Sequence, residues 1–156
     1  YKEYNEIGRV SSLPKMMGFQ AAGAAPIVLG RVIEEPETIA SAIRIGNPAS
    51  WQGALAARDE SGGSIDIVSD EEIIGAYKLL ANTEGLLAEP ASAVSVAGVI
   101  KKQNEGIFRK GDVVVCTLTG HGLKDPDAAM RHSAQPTRIK PDLEVLAAIF
   151  AEEKIK

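Results

Sequence analysis

The stretch Ser64–Ala81, SIDIVSDEEIIGAYKLLA, decides the fold. Its first five residues set Ile65 and Ile67 in alternation, the period of a short strand. Ser69-Asp70-Glu71-Glu72 then has the form of a capping box, with a hydroxyl and a carboxylate three residues apart. Behind it Ile73, Ile74, Tyr77, Leu80 and Ala81 fall on one stripe, which predicts an amphipathic helix ending near Gly85. A strand that passes directly into a capped helix is half of a βαβ unit.

The same alternation extends to both sides. Upstream, Asn47-Pro48 puts a capping residue before a proline and predicts a helix start. Trp51, Ala54, Leu55 and Arg58 continue it at helical spacing, and Gly62-Gly63 ends it. Met16–Gln20, after Pro14, predicts another short strand, and Pro26 allows only a helix that begins near it. Tyr1–Ile7 reads as the tail of a helix closed by Gly8. Downstream, the small apolar residues from Ala91 to about Gln103 predict a largely buried helix closed by Asn104 and Gly106. Val113–Leu118 is a continuous apolar run, expected as a strand covered on both faces. Asp127–Ser133 is ambiguous, and Pro141-Asp142 opens a last helix with Leu143, Leu146, Ala147 and Phe150 on one face. Strands alternating with helices predict an α/β fold: an open, mainly parallel sheet with helices on both faces.

Composition narrows the function classes. The chain has 156 residues, about one domain, of which 45% are hydrophobic and only 4% aromatic. Such a core packs through small side chains. The net charge is −4 with scattered basic residues, which excludes a nucleic-acid footprint. No apolar run approaches the roughly 20 residues that span a bilayer. The lone Cys116 excludes an internal disulfide framework and fits a reducing compartment; inside an apolar strand it is expected to be inert. His121 and His132 have no metal-ligand spacing with Cys116 or each other, so no metal site is expected. Tyr1 is not a start residue, and the chain is expected to be a portion of something longer.

Three segments are candidates for chemistry. Thr119-Gly120-His121-Gly122 directly follows the Val113–Leu118 run, at the strand end where α/β proteins bind ligands; it is otherwise a tight turn. Glu89-Pro90-Ala91-Ser92-Ala93 places a carboxylate before a buried helix, as a ligand group or as a cap. Ile45-Gly46-Asn47-Pro48-Ala49-Ser50 offers helix amides to an anion, or is an ordinary capped helix.

In order, GFQAAGAAPIVLG from Gly18, AIRIGNPASWQGAL from Ala42, SDEEI from Ser69, EGLLAEPASA from Glu84 and LTGHGLKDPD from Leu118 resemble threonine synthase, a family of pyridoxal-phosphate enzymes of fold type II. The resemblance runs from Tyr1 to about Asp127. It implies that residues 1–156 are the C-terminal part of such an enzyme, mostly its large domain, with the N-terminal half absent. It implies pyridoxal phosphate as cofactor, O-phosphohomoserine as substrate, and a homo-oligomeric enzyme of the cytoplasm. Thr119 matches the hydroxyl residue that contacts the pyridine nitrogen, with Gly120 beside it also expected at the cofactor, while Glu89 and the Ala42–Asn47 stretch, Ile43 included, match segments that lie near the cofactor ring. The Schiff-base lysine, which the family places after Ser-Phe, has no counterpart among the ten lysines here, so no catalytic residue is assigned to this chain. Lys124 matches the LTGHGLKDP segment instead and is expected to be structural or a surface contact. The alternatives are a non-enzymatic binding or regulatory module on the same fold, or part of a related dehydratase.

Overall fold

The computed structural model describes residues 1–134, 136 and 138–153. The chain opens with helix α1 (Lys2–Glu6) and strand β1 (Met17–Ala21), followed by the short helix α2 (Pro26–Leu29) and by α3 (Trp51–Ser61). Strand β2 (Ser64–Val68) lies parallel to β1, with Met17 opposite Ser64 and Ala21 opposite Val68. It feeds α4 (Asp70–Leu79), which runs into a π turn over Leu80–Glu84 and stops at Gly85. The long helix α5 (Pro90–Asn104), α6 (Pro126–His132) and α7 (Leu143–Glu153) complete the described chain.

The capping box forms as its sequence predicts. The Glu72 N–H donates to Ser69 Oγ at 3.2 Å, and the Ser69 N–H donates to Glu72 Oε2 at 2.7 Å. Of the α4 stripe, Ile73, Tyr77 and Leu80 are buried and Ile74 and Ala81 half-buried, and α4 packs along α5. Helix α5 in turn lies on the sheet, where a small residue decides how close it comes. A Cβ on Gly98 would sit 2.3 Å from the Phe19 ring, so glycine lets the helix rest on the aromatic. Lys102 of α5 reaches Asp66 at 2.9 Å, on the same sheet face as its partner Phe19. The opposite face takes α2: Gln20 Oε1 accepts from the Ile27 and Val28 N–H groups at 3.0 and 3.2 Å, satisfying free amides of that helix.

The fold is therefore mixed α/β with a parallel sheet and helices, and two local expectations need correction. Helix α3 starts at Trp51, not at Asn47-Pro48. The Ile33 N–H donates to the Gly46 carbonyl at 3.0 Å, and a Cβ on Gly46 would lie 1.8 Å from the Ile33 carbonyl oxygen. That close backbone pairing holds the chain before Asn47 and delays the first helical turn.

The second correction concerns Val113–Leu118, which pairs with no strand among the described residues and is not covered on both faces. The strand period survives in its burial. Val113 and Val115 are 90% and 80% exposed and Thr117 is exposed, whereas Cys116 and Leu118 are half-buried and Leu118 packs against the core. The Ser95 hydroxyl of α5, which donates to the Ser92 carbonyl at 3.0 Å, also lies 3.4 Å from the Thr117 carbonyl. One face thus leans on α5 and the other is open. A ladder needs a second row of backbone donors and acceptors beside it, and nothing described here supplies one. The ambiguous segment after Asp125 is helical as α6, and the Leu143–Phe150 face of α7 is largely exposed, with Leu143 at 82% and Phe150 at 58%.

Candidate functional site

The Glu89 and Thr119 segments, far apart in sequence, meet at the start of α5. Ala88 and His121 form an antiparallel bridge, the Gly122 N–H donates to the Leu87 carbonyl at 2.8 Å, and the Glu89 N–H donates to the Gly120 carbonyl at 3.0 Å. Side chains complete the junction. The Gly120 N–H donates to Ser92 Oγ at 2.7 Å, and Ser92 Oγ lies 3.2 Å from Thr119 Oγ1. Lys124 donates to Glu89 Oε1 at 3.0 Å. Glu89 and Ser92 are buried, at 3% and 2% exposure, while Thr119 is exposed.

Each member has a local cause. Pro90 at the first helical position needs no amide partner, which suits the extended Glu89 before it. The buried Glu89 carboxylate sits where a side chain of residue 120 would begin: a Cβ there would be 2.1 Å from Glu89 Oε1 and 2.9 Å from Lys124 Nζ. Gly122 gives way to Leu87 in the same manner, with a Cβ 2.5 Å from its Cγ. Both backbone groups of Gly120 are engaged within the chain, so this glycine serves the junction itself. Lys124 is the counter-charge of this buried carboxylate.

Ala42 and Ile43 belong to a single 3-10 turn, Ser41–Ile43, that packs against α5. Ile43 is half-buried against the core and Ala42 is exposed. Two aspartates, which the sequence reading did not mark as site residues, hold this turn. Asp70, the first residue of α4, accepts from the Thr38 hydroxyl at 2.6 Å and the Ile39 N–H at 3.1 Å. Asp125 accepts from the Ser41 hydroxyl at 2.8 Å and, as the cap of α6, from the Ala128 N–H at 3.0 Å. The Ser41 hydrogen bond, followed by that from the Ala128 amide, holds the Asp125 carboxyl below the ordinary aspartate range. Burial, and then the Asp125 charge, push the Tyr77 phenol up. An Asp-Pro pair opening a helix was the available signal for Asp125; nothing local marks Asp70 or Ser92 as a tether. Burial also pushes the Cys116 thiol up, which disfavours the reactive thiolate.

The parallel sheet, the helix laid across it and the Thr-Gly-His-Gly junction define the class. The chain belongs to the pyridoxal-phosphate dependent enzyme family, whose model matches residues 1–120. Within it, the chain is similar to threonine synthases. It is 52% identical over 143 residues to that of Mycobacterium tuberculosis (strain H37Rv), covering 90% of this chain and 40% of the relative. It is 63% identical over 117 residues to that of Bacillus sp. (strain ULM1), covering 75% and 33%. The chain thus spans about 40% of the length of the first of these relatives. A solved L-serine ammonia-lyase from the fungus Rhizomucor miehei shares the fold, with a TM-score of 0.57 at 16% identity, covering 83% of this chain and 44% of that one. A separate non-enzymatic module is not favoured by these similarities. No helix among the described residues is long and apolar enough to cross a membrane.

Proposed function

We propose that this segment forms one wall of the cofactor site of a threonine synthase, whose complete form converts O-phosphohomoserine and water into threonine and phosphate. On this reading residues 1–156 are the C-terminal part of that enzyme, mostly its large domain. A homo-oligomeric, cytoplasmic enzyme belongs to the same reading and is supported by the resemblance alone. The observation that carries the proposal is the Thr119 hydroxyl, exposed at the end of an apolar run and backed by buried Ser92.

The donor set fits pyridoxal phosphate at its ring end. Thr119 offers a neutral hydroxyl, suited to a pyridine nitrogen. The nearby carboxylate, Glu89, is buried and its Oε1 is paired with Lys124. Pyridoxal phosphate, when bound, supplies the electron sink for chemistry at the substrate carbons. Thr119 would hold the ring nitrogen without adding charge, which moderates that sink. The Ala42–Ile43 turn, fixed through Ser41 and Asp125, would border the ring. Gly120 and Glu89 shape the junction that carries Thr119. No lysine of this chain matches the one that would hold the cofactor covalently; Lys124, beside the site, is engaged by Glu89.

The test is Thr119→Val in the complete enzyme, which keeps the shape and removes the hydroxyl. Loss of a hydrogen bond worth about 1–3 kcal/mol lowers phosphate release from O-phosphohomoserine roughly ten- to a hundredfold. An unchanged rate together with an unchanged cofactor absorption spectrum would make Thr119 a turn residue only.

A further inference from the structure

We infer that Ser92 is a positioning residue that fixes the direction of the Thr119 hydroxyl proton. The inference rests on the cofactor reading of Thr119. Ser92 lies in the first turn of α5, 2% exposed, with no water-facing alternative for its hydroxyl. A serine hydroxyl has one proton to donate and lone pairs to accept with. The Gly120 N–H, at 2.7 Å, takes one of those lone pairs. Among the described residues the other hydrogen-bond partner of Ser92 Oγ is Thr119 Oγ1, at 3.2 Å.

The directions follow from this arrangement. An amide N–H can only donate, so Ser92 accepts from Gly120; its own buried proton is paired when it goes to Thr119 Oγ1, the other partner within reach, and that direction leaves no buried donor unsatisfied. Thr119 then accepts from Ser92, and its proton is left to point outward from the junction. An outward-pointing O–H is a donor, matched to a pyridine nitrogen that carries a lone pair rather than a proton. With Ser92 removed, the Thr119 hydroxyl turns freely and its donor orientation becomes one of several. The chain Gly120 N–H to Ser92 to Thr119 is thus a relay anchored at a backbone amide, in which pairing the buried Ser92 proton sets the direction of the second step.

The complete enzyme, loaded with pyridoxal phosphate labelled with nitrogen-15 at the ring nitrogen, tests this by the chemical shift of that nitrogen. Thr119→Val is expected to move the resonance away from the hydrogen-bonded position. Ser92→Ala is expected to move it in the same direction, with cofactor affinity about tenfold weaker. Ser92→Cys, a near-isostere with a weaker donor, is expected to fall between and keeps the test usable if the alanine variant fails to fold. A wild-type resonance in the Ser92 variants, alongside a displaced one in Thr119→Val, overturns the role of Ser92 while leaving that of Thr119 standing. An unmoved resonance in Thr119→Val overturns both. A purely structural Ser92 would change stability without moving the nitrogen shift.

Discussion

Gly120→Ala is the most direct probe of the junction between Glu89 and the Thr119 turn. The added Cβ would lie 2.1 Å from Glu89 Oε1 and 2.4 Å from Cδ, both well inside the 3.4 Å of ordinary contact. Glu89 is buried, so its carboxylate has little room to swing aside. The strain is relieved in one of two ways. Either the carboxylate leaves Lys124, 3.0 Å away, or the turn retreats and stretches the 2.7 Å bond to Ser92 and the 3.0 Å bond from Glu89. Overpacking costs about 1–3 kcal/mol, and each lost hydrogen bond adds about 1 kcal/mol. The reduced freedom of the unfolded chain returns about 0.4–1 kcal/mol. The expected net loss is about 2 kcal/mol in urea unfolding, followed by circular dichroism and Trp51 fluorescence. A double-mutant cycle isolates the cause. Glu89→Ala removes the obstructing carboxylate and leaves only the largely exposed Lys124 without its partner. In that background Gly120→Ala should cost under about 0.5 kcal/mol, the scatter of additive sites. Gly53→Ala is the control: this position in α3 has open space around it, and alanine should add about 1 kcal/mol of stability. An equal loss from Gly120→Ala in both Glu89 backgrounds would refute the steric account.

The other expectations use different measurements. The Lys102 hydrogen bond, ahead of that from Ser64, holds Asp66 below its ordinary value of 3.8, so its contribution is present above that pH and is lost as the pH falls through the lowered value. Asp66→Asn should therefore flatten acid unfolding below about pH 4, by no more than about 1 kcal/mol because the aspartate is partly exposed; an unchanged acid limb would count against the Lys102 pair. The isolated chain, mixed with pyridoxal phosphate and O-phosphohomoserine, should release no phosphate above the protein-free control. Turnover abolished by Lys124→Ala would instead make Lys124 a catalyst. The open Val113–Val115 face, 90% and 80% exposed at its two ends, should drive self-association of the isolated chain at micromolar concentration, and Val113→Lys with Val115→Lys should reduce it in sedimentation. A monomer unaffected by these changes would show that the exposed face is inert.

Elements specified by near neighbours were legible from the amino-acid order. The Ser69–Glu72 box, the α4 stripe, the glycine stop after α3, the apolar run of β1 and the alternation of β2 each depend on residues a few positions apart. The same holds for the motifs EPASA and LTGHGLKDP, whose residues marked the candidate site without showing how they meet. Failures came where a distant partner decides. Asn47-Pro48 has the form of a helix start, yet Ile33 holds the backbone beside it, whereas Asp125-Pro126 opens α6 with the same kind of signal unopposed. Val113–Leu118 keeps the strand period but lacks a ladder, because period is a property of the run and pairing belongs to a second segment. The burial of Glu89 against Gly120, its pairing with Lys124, and the Ser92–Thr119 contact span 27 to 35 positions. Side-chain identity and spacing determine local conformation, and so the sequence alone determined β1, β2, α4, α5 and the family motifs. Hydrogen-bond direction and close approach depend on which segments the tertiary fold brings together, and so only the tertiary structure decided that Gly120 makes room for a carboxylate and that Ser92 stands behind Thr119.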